Sequence, residues 1–125
     1  MPDRRLVREI LRQMLEAIGR IERRASGLTC PNDFMSSDEG IDKLDAICMM
    51  LIAVGESCKH LDRITEGQLF AARPETDWKG VMGIRDVISH HYFDINADVV
   101  YSVCRNRIPG LKTALEFLYE AESEN

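Results

Sequence analysis

Ser37-Asp38-Glu39-Gly40-Ile41-Asp42-Lys43-Leu44-Asp45-Ala46-Ile47-Cys48-Met49-Met50-Leu51-Ile52-Ala53-Val54-Gly55-Glu56-Ser57-Cys58-Lys59-His60-Leu61 decides the fold. Ile41, Leu44, Ile47, Cys48, Leu51, Val54, Cys58 and Leu61 recur at three- and four-residue steps, which is the period of one face of an α-helix. Met49, Met50 and Ile52 widen that stripe almost all round. A helix apolar on most sides sits at the centre of a bundle or is covered on its far side by a partner chain. Ser36 followed three residues later by Glu39 reads as a capping box opening this helix. Glu56, directly after Gly55, reads as a carboxylate at the solvent edge.

Outward from this helix the same period recurs. Val7, Ile10, Leu11, Met14, Ile18 and Ile21 predict a first helix over about residues 3–25, ended by Gly27. Pro31, Asn32 and Asp33 make residues 29–37 a loop. Residues 62–77 are polar and broken by Gly67 and Pro74, which predicts a connector with a short helix around residues 66–72. Asp77 can cap a third major helix starting at Trp78, with Val81, Ile84, Val87 and Ile88 facing inward. Asn96 caps a last helix through Val99, Val100 and Val103, and Pro109 kinks or restarts it before Leu111, Leu115 and Leu118. No segment alternates like a strand between hairpin turns, and no repeat is visible. The prediction is an all-α antiparallel bundle of about four to five helices in one domain, with residues 121–125 as a tail.

The longest apolar run, Ala46 to Val54, is far short of the roughly 20 residues that cross a bilayer, and Arg4 and Arg5 stand where a signal peptide would be apolar. A cytoplasmic protein with no membrane association is the expectation. Cys30, Cys48, Cys58 and Cys104 are far apart without a Cys-x-x-Cys pair, so they read as reduced thiols, largely in the core. The formal charge of −5 argues against a general nucleic-acid binder. Its distribution is uneven: residues 1–24 carry seven arginines against four acids, whereas Glu116, Glu120, Glu122 and Glu124 make the end acidic. A local basic surface is therefore expected on an acidic protein.

The stretch that carries chemistry is Arg85-Asp86-Val87-Ile88-Ser89-His90-His91-Tyr92-Phe93. A fixed cation for a phosphate and an imidazole that exchanges a proton near neutral pH are the parts that metal-free RNA cleavage needs. On a straight helix Arg85 and His90 point about 140° apart, while Arg85, Ser89 and Tyr92 share a face and Asp86 lies under His90 at i, i+4. Two arrangements bring Arg85 and His90 to one phosphate. Either the helix ends near Ser89 and lets His90 turn back, or two copies of the motif face each other across a dimer cleft. The dimer is preferred, since a chain this small lacks a deep cleft of its own. In such a groove Arg85 would hold the phosphate and stabilise the transition state, and His90 would serve the ribose 2′-hydroxyl or the leaving oxygen as general base or acid. Taken singly, an exposed Arg and His are also ordinary surface groups; His91 reads as a packing residue, and Tyr92 and Phe93 as half-buried anchors.

The segment Trp78-Lys79-Gly80-Val81-Met82-Gly83-Ile84-Arg85-Asp86-Val87-Ile88-Ser89-His90-His91-Tyr92-Phe93, followed by Ile95-Asn96 and Ile108-Pro109-Gly110-Leu111, resembles the HepT-like branch of the HEPN superfamily, the toxin halves of toxin–antitoxin pairs. The order of helices fits over nearly the whole domain. The resemblance implies a homodimeric helical bundle with Arg-x4-His elements across the subunit cleft, ribonuclease activity needing no metal or other cofactor, and a cognate nucleotidyltransferase antitoxin of the MNT type. By position, Arg85 and His90 match the catalytic pair, Asp86 the polar residue after the arginine, and Tyr92 the tyrosine to which some such antitoxins attach AMP. A bulky anion on Tyr92 would compete for Arg85. His91 departs from the more usual Glu or Gly. Two other readings stay open: a non-catalytic subunit that binds a nucleotide or docks a nucleotidyltransferase, and a structural dimer whose motif residues form interface hydrogen bonds.

Overall fold

Asp3 accepts a hydrogen bond from the Arg5 amide and starts α1 (Arg4–Ala25), whose buried face is Val7, Ile10, Leu11, Met14, Ala17, Ile18 and Ile21. The computed structural model describes residues 3–91 and 94–123, and for residues 89–91 and 123 only the backbone path. After α1 the chain crosses a short 3-10 turn, Pro31–Phe34, and enters α2 (Asp38–Ile64). The cap of α2 is Ser37, one residue later than expected: its side chain accepts from the Gly40 amide at 3.0 Å. Ser36-x-x-Glu39 is therefore not the capping box that the spacing suggested.

α2 is the central element. Leu44, Ile47, Cys48, Leu51, Val54, Cys58 and Leu61 are buried, packed against α1 and the short helices that follow. Two residues of its wide stripe are not buried: Ile41 is 38% exposed and Met49 68% exposed. At its end, Glu66 and Gly67 both adopt positive φ, 52° and 77°, and the Gly67 amide returns to the Asp62 carbonyl at 2.9 Å. That reversal satisfies a carbonyl the helix would leave unpaired.

Gly40 explains how the first loop fits. A Cβ at this position would overlap the Asp33 carbonyl oxygen and stand 3.0 Å from that of Phe34. The backbone of the 3-10 turn therefore lies directly on the first turn of α2, with Phe34 fully buried beneath it. Gly40→Ala should destabilise the protein by about 2–3 kcal/mol, the usual cost of overpacking against backbone that cannot yield. Urea unfolding measures this, and an unchanged midpoint would show that the turn is free to move.

The connector holds a single 3-10 turn, Phe70–Ala72, in place of the longer helix predicted there. Phe70 stacks on Trp78 with ring centroids 4.1 Å apart, and the Trp78 indole donates to the Arg73 carbonyl at 2.9 Å. Then follow α3 (Trp78–Met82), α4 (Ile84–Ile88), and two short antiparallel strands, β1 (Ser89–His91) and β2 (Asp94–Ile95). α5 (Ala97–Ser102) is capped by Asn96 as expected, its side chain accepting from the Val99 amide. A π turn, Val103–Arg107, joins it without a break to α6 (Ile108–Ser123).

α1, α2 and α6 thus form a bundle, with α3, α4 and the strand pair against α2. The all-α, HEPN-like class holds; the strand pair is its one addition among the described residues. α6 is tied to α1 by Arg8 lying 4.2 Å over the Tyr119 ring and by the Lys112–Glu22 and Arg4–Glu122 ion pairs at 3.0 and 3.1 Å. Among the described residues no helix is long and apolar enough to cross a membrane.

Candidate functional site

The third major helix of the sequence reading is two short ones. Asp77 does cap its start, accepting from the Gly80 amide at 3.0 Å, but Gly83 ends α3 with its amide bonded back to Lys79 and Val81. α4 then contributes little more than one turn. Gly55 of α2 sets how close this pair of helices comes. A Cβ there would stand 2.8 Å from the Val81 carbonyl oxygen and 2.9 Å from Ile84 Cγ2. The residue before Glu56 is thus the contact that seats the motif, a role its position in the sequence does not announce.

Ile88 anchors α4 in the core at 1% exposure, and Arg85, Asp86 and Val87 lie on its outer side. Val87, expected to face inward, is half exposed. A helix of five residues has room to bury only a few side chains, and here Ile84 and Ile88 take that place. Among the described residues Arg85 makes no ion pair or hydrogen bond, so its guanidinium is uncommitted. By contrast, the arginine-rich α1 is largely neutralised on its own surface. Arg12 pairs with Glu9 and Glu16, and Arg20 with Glu16. The basic face expected on residues 1–24 is therefore much reduced.

After Ile88 the chain leaves the helix, and Asp86 is consequently not one helical turn below His90. Ser89 pairs with Ile95 and His91 with Asp94; the ladder advances two residues on β1 for one on β2. His90 is thus the extra residue of a β-bulge. The Asn96 amide closes the turn on the Ile88 carbonyl at 3.0 Å. Bulges bend a strand and redirect the residue they contain, and they are over-represented beside active sites. Of the two arrangements weighed from the sequence, the early helix end is the one seen along the backbone. The structure therefore sets Arg85 and Asp86 on an exposed helical turn and Ser89 and His90 in the bulged strand that continues it. Tyr92 and Phe93 lie outside the described residues.

Beside α4 opens a cavity of about 520 Å³ that sequence reasoning missed. Ile84 and Val87, which flank Arg85, form one wall; Leu51 and Val54 of α2 and Val103 and Leu111 form the rest of its apolar lining. Its only sequence signal was Pro109-Gly110, read as a kink. The cysteines contribute no reactive group here. All four are free, and burial pushes Cys48 and Cys104 up to about 11 and Cys58 to about 12, so these three stay protonated and unreactive near neutral pH.

The family model described as ribonuclease HepT-like matches residues 14–118. The chain belongs to the HepT-like family. The match includes the whole of α2, α3 and α4, the bulged strand and the π turn. The HepT-like chain is also similar to a curated protein of Methanocaldococcus jannaschii named "Putative RNase MJ0127", with 30% identity over 81 residues, 64% of each chain. It thus spans just under two thirds of that relative's length. No solved structure matches it.

Proposed function

We propose that the protein is a metal-independent endoribonuclease acting as the toxin of a toxin–antitoxin pair. The observation that carries this reading is an uncommitted, exposed Arg85 one short helical turn ahead of a bulge at His90, inside the segment matched by a ribonuclease family. In the reaction the ribose 2′-oxygen attacks phosphorus as the bond from phosphorus to the 5′-oxygen breaks. His90 takes the 2′-hydroxyl proton or delivers one to the departing 5′-oxygen. Arg85 neutralises the charge that builds on the non-bridging oxygens, while Asp86 and Ser89 support the pair. The products are a 2′,3′-cyclic phosphate, or its hydrolysed form, and a 5′-hydroxyl. DNA, lacking the attacking group, is inert.

A second copy of the chain completes the groove. Val87 beside Arg85 and Met49 on α2 are the exposed apolar side chains such a partner would cover. A nucleotidyltransferase antitoxin of the MNT type silences the enzyme, through AMP attached to Tyr92, whose added phosphate competes for Arg85. Expression alone should arrest growth, and coexpression with the adjacent nucleotidyltransferase should relieve it, with mass gains in AMP-sized steps that vanish in Tyr92→Phe. Purified protein should cut single-stranded RNA in EDTA. Harmless expression, together with ATP-dependent association with the nucleotidyltransferase, would support the second reading, a non-catalytic subunit of that enzyme. The net charge of −5 and the self-neutralised α1 favour that alternative.

A further inference from the structure

The cavity beside α4 owes its existence to three backbone features. The π turn swings residues 103–107 out of the regular helical path; there the Ile108 amide reaches back five residues to the Val103 carbonyl. Pro109, which has no amide hydrogen, follows directly. Gly110 and Gly80 lie in its lining without side chains. A Cβ on Gly110 would meet nothing within 4 Å, so the space is open where any other residue would begin to fill it. π turns of this kind recur at functional sites.

We infer that this cavity is a nucleobase pocket. Its volume of about 520 Å³ lies within the roughly 300–1,000 Å³ of small-molecule sites. Leu51, Val54, Val81, Ile84, Val103 and Leu111 supply opposed aliphatic surfaces, the kind of walls between which an unstacked base is held. The polar groups stand with them in the lining, as needed to read a base edge: Thr76, Thr113 and Asn106. Asn106 uses its amide nitrogen on Ser102, leaving its carbonyl oxygen to accept. Arg73 and Arg107 also line the cavity and are held there, Arg107 by Asp77 at 4.0 Å and Arg73 by Glu75 and by the Phe117 ring 4.8 Å away. Both guanidiniums are thereby placed for a phosphate attached to the base. Ile84 and Val87 line this pocket while Arg85 between them points its charge to solvent, so one α4 turn serves both places.

Under the ribonuclease reading, on which this assignment rests for its source of ligand, the base is an unpaired residue of the RNA neighbouring the cleaved phosphate. A free mononucleotide offers the same chemistry. Gly110→Phe fills the pocket without disturbing the core, and Gly19→Phe, at a helical position of α1 equally free of neighbours, is its control. With a short fluorescein-labelled single-stranded RNA, Gly110→Phe should weaken binding about tenfold or more, and Gly19→Phe should not. Competition by AMP, GMP, CMP or UMP would assign the pocket to a free nucleotide; failure of all four to compete would assign it to the RNA. Asn106→Ala, at an exposed position, should alter the preference among homopolymers and gives a second readout should Gly110→Phe fail to fold. Unaltered RNA binding in both variants overturns the pocket, as does a Gly110→Phe protein altered only in its sedimentation, which would mark the cavity as a protein-docking face. Pocket-dependent binding without cleavage by the wild type would sink the ribonuclease reading alone, whereas full cleavage by Gly110→Phe would sink the pocket alone.

Discussion

His90→Ala should lower the rate of RNA cleavage by about 10²–10⁴-fold, the range that loss of a positioned general acid or base produces, with the helical circular-dichroism signal unchanged. Arg85→Ala should cost about 10²–10³-fold, as removal of a donor to a developing oxyanion does. Arg85→Lys should recover only part of that loss, because an ammonium cannot bind two phosphate oxygens through a planar fork. These variants are expected to fold. Arg85 is exposed and makes no ion pair or hydrogen bond among the described residues, and His90 sits in a two-strand ladder outside the bundle. A mixture of single mutants offers a further test of the shared groove. If each site takes its arginine from one subunit and its histidine from the other, mixed Arg85→Ala and His90→Ala chains should regain about a quarter of wild-type activity per dimer at full exchange. Activity of His90→Ala equal to wild type would remove the mechanism.

Gly55→Ala should give the second large effect, and it acts at a distance from the chemistry. The added methyl would meet the Val81 carbonyl oxygen at 2.8 Å and Ile84 Cγ2 at 2.9 Å. Both belong to the helix pair that carries Arg85, so the strain is relieved by moving that pair away from α2. A stability loss of about 1–3 kcal/mol is expected. Cleavage should fall further than the loss of folded protein explains, since misplacing a catalytic group by about 1 Å costs on the order of 10²-fold. Ser57→Ala, two residues along α2, should do neither. Cleavage assayed beside urea unfolding separates the two contributions. A Gly55→Ala protein that is less stable but fully active per folded molecule would show that the seating of α4 does not govern the site.

Much of the fold was legible because its period is regular. The buried faces of α1 and α2 and the caps Asp77 and Asn96 follow from spacing and from side chains suited to accept from helical amides. What escaped notice has a common cause: it depends on residues far apart in the chain. The end of α4 at Ile88 is fixed by pairing of Ser89 and His91 with Ile95 and Asp94, a ladder too short to show alternation. The apolar run continues helically through Ile88, so the sequence alone offers no reason to stop there. Val87, Ile41 and Met49 fit the inward stripe by period and yet are exposed, because what lies opposite them is decided by tertiary packing. At the candidate site, Arg85 and His90 could be named from their chemistry, whereas the bulge that separates them from an ideal spiral could not.

The π turn has a consequence for how this chain can vary. It holds one residue more than a regular turn between α5 and α6, and every side chain after it is rotated accordingly. Deleting any single residue from 103–107 would restore ordinary helical bonding but rotate the remainder by about 100°. Ile108, Leu111, Leu115 and Leu118, now buried, would then swing out of phase with α1 and α2. The surplus residue is therefore locked in by the hydrophobic register of the last helix: length is the conserved quantity there, and side-chain identity at the solvent-facing 105 and 106 is free to drift.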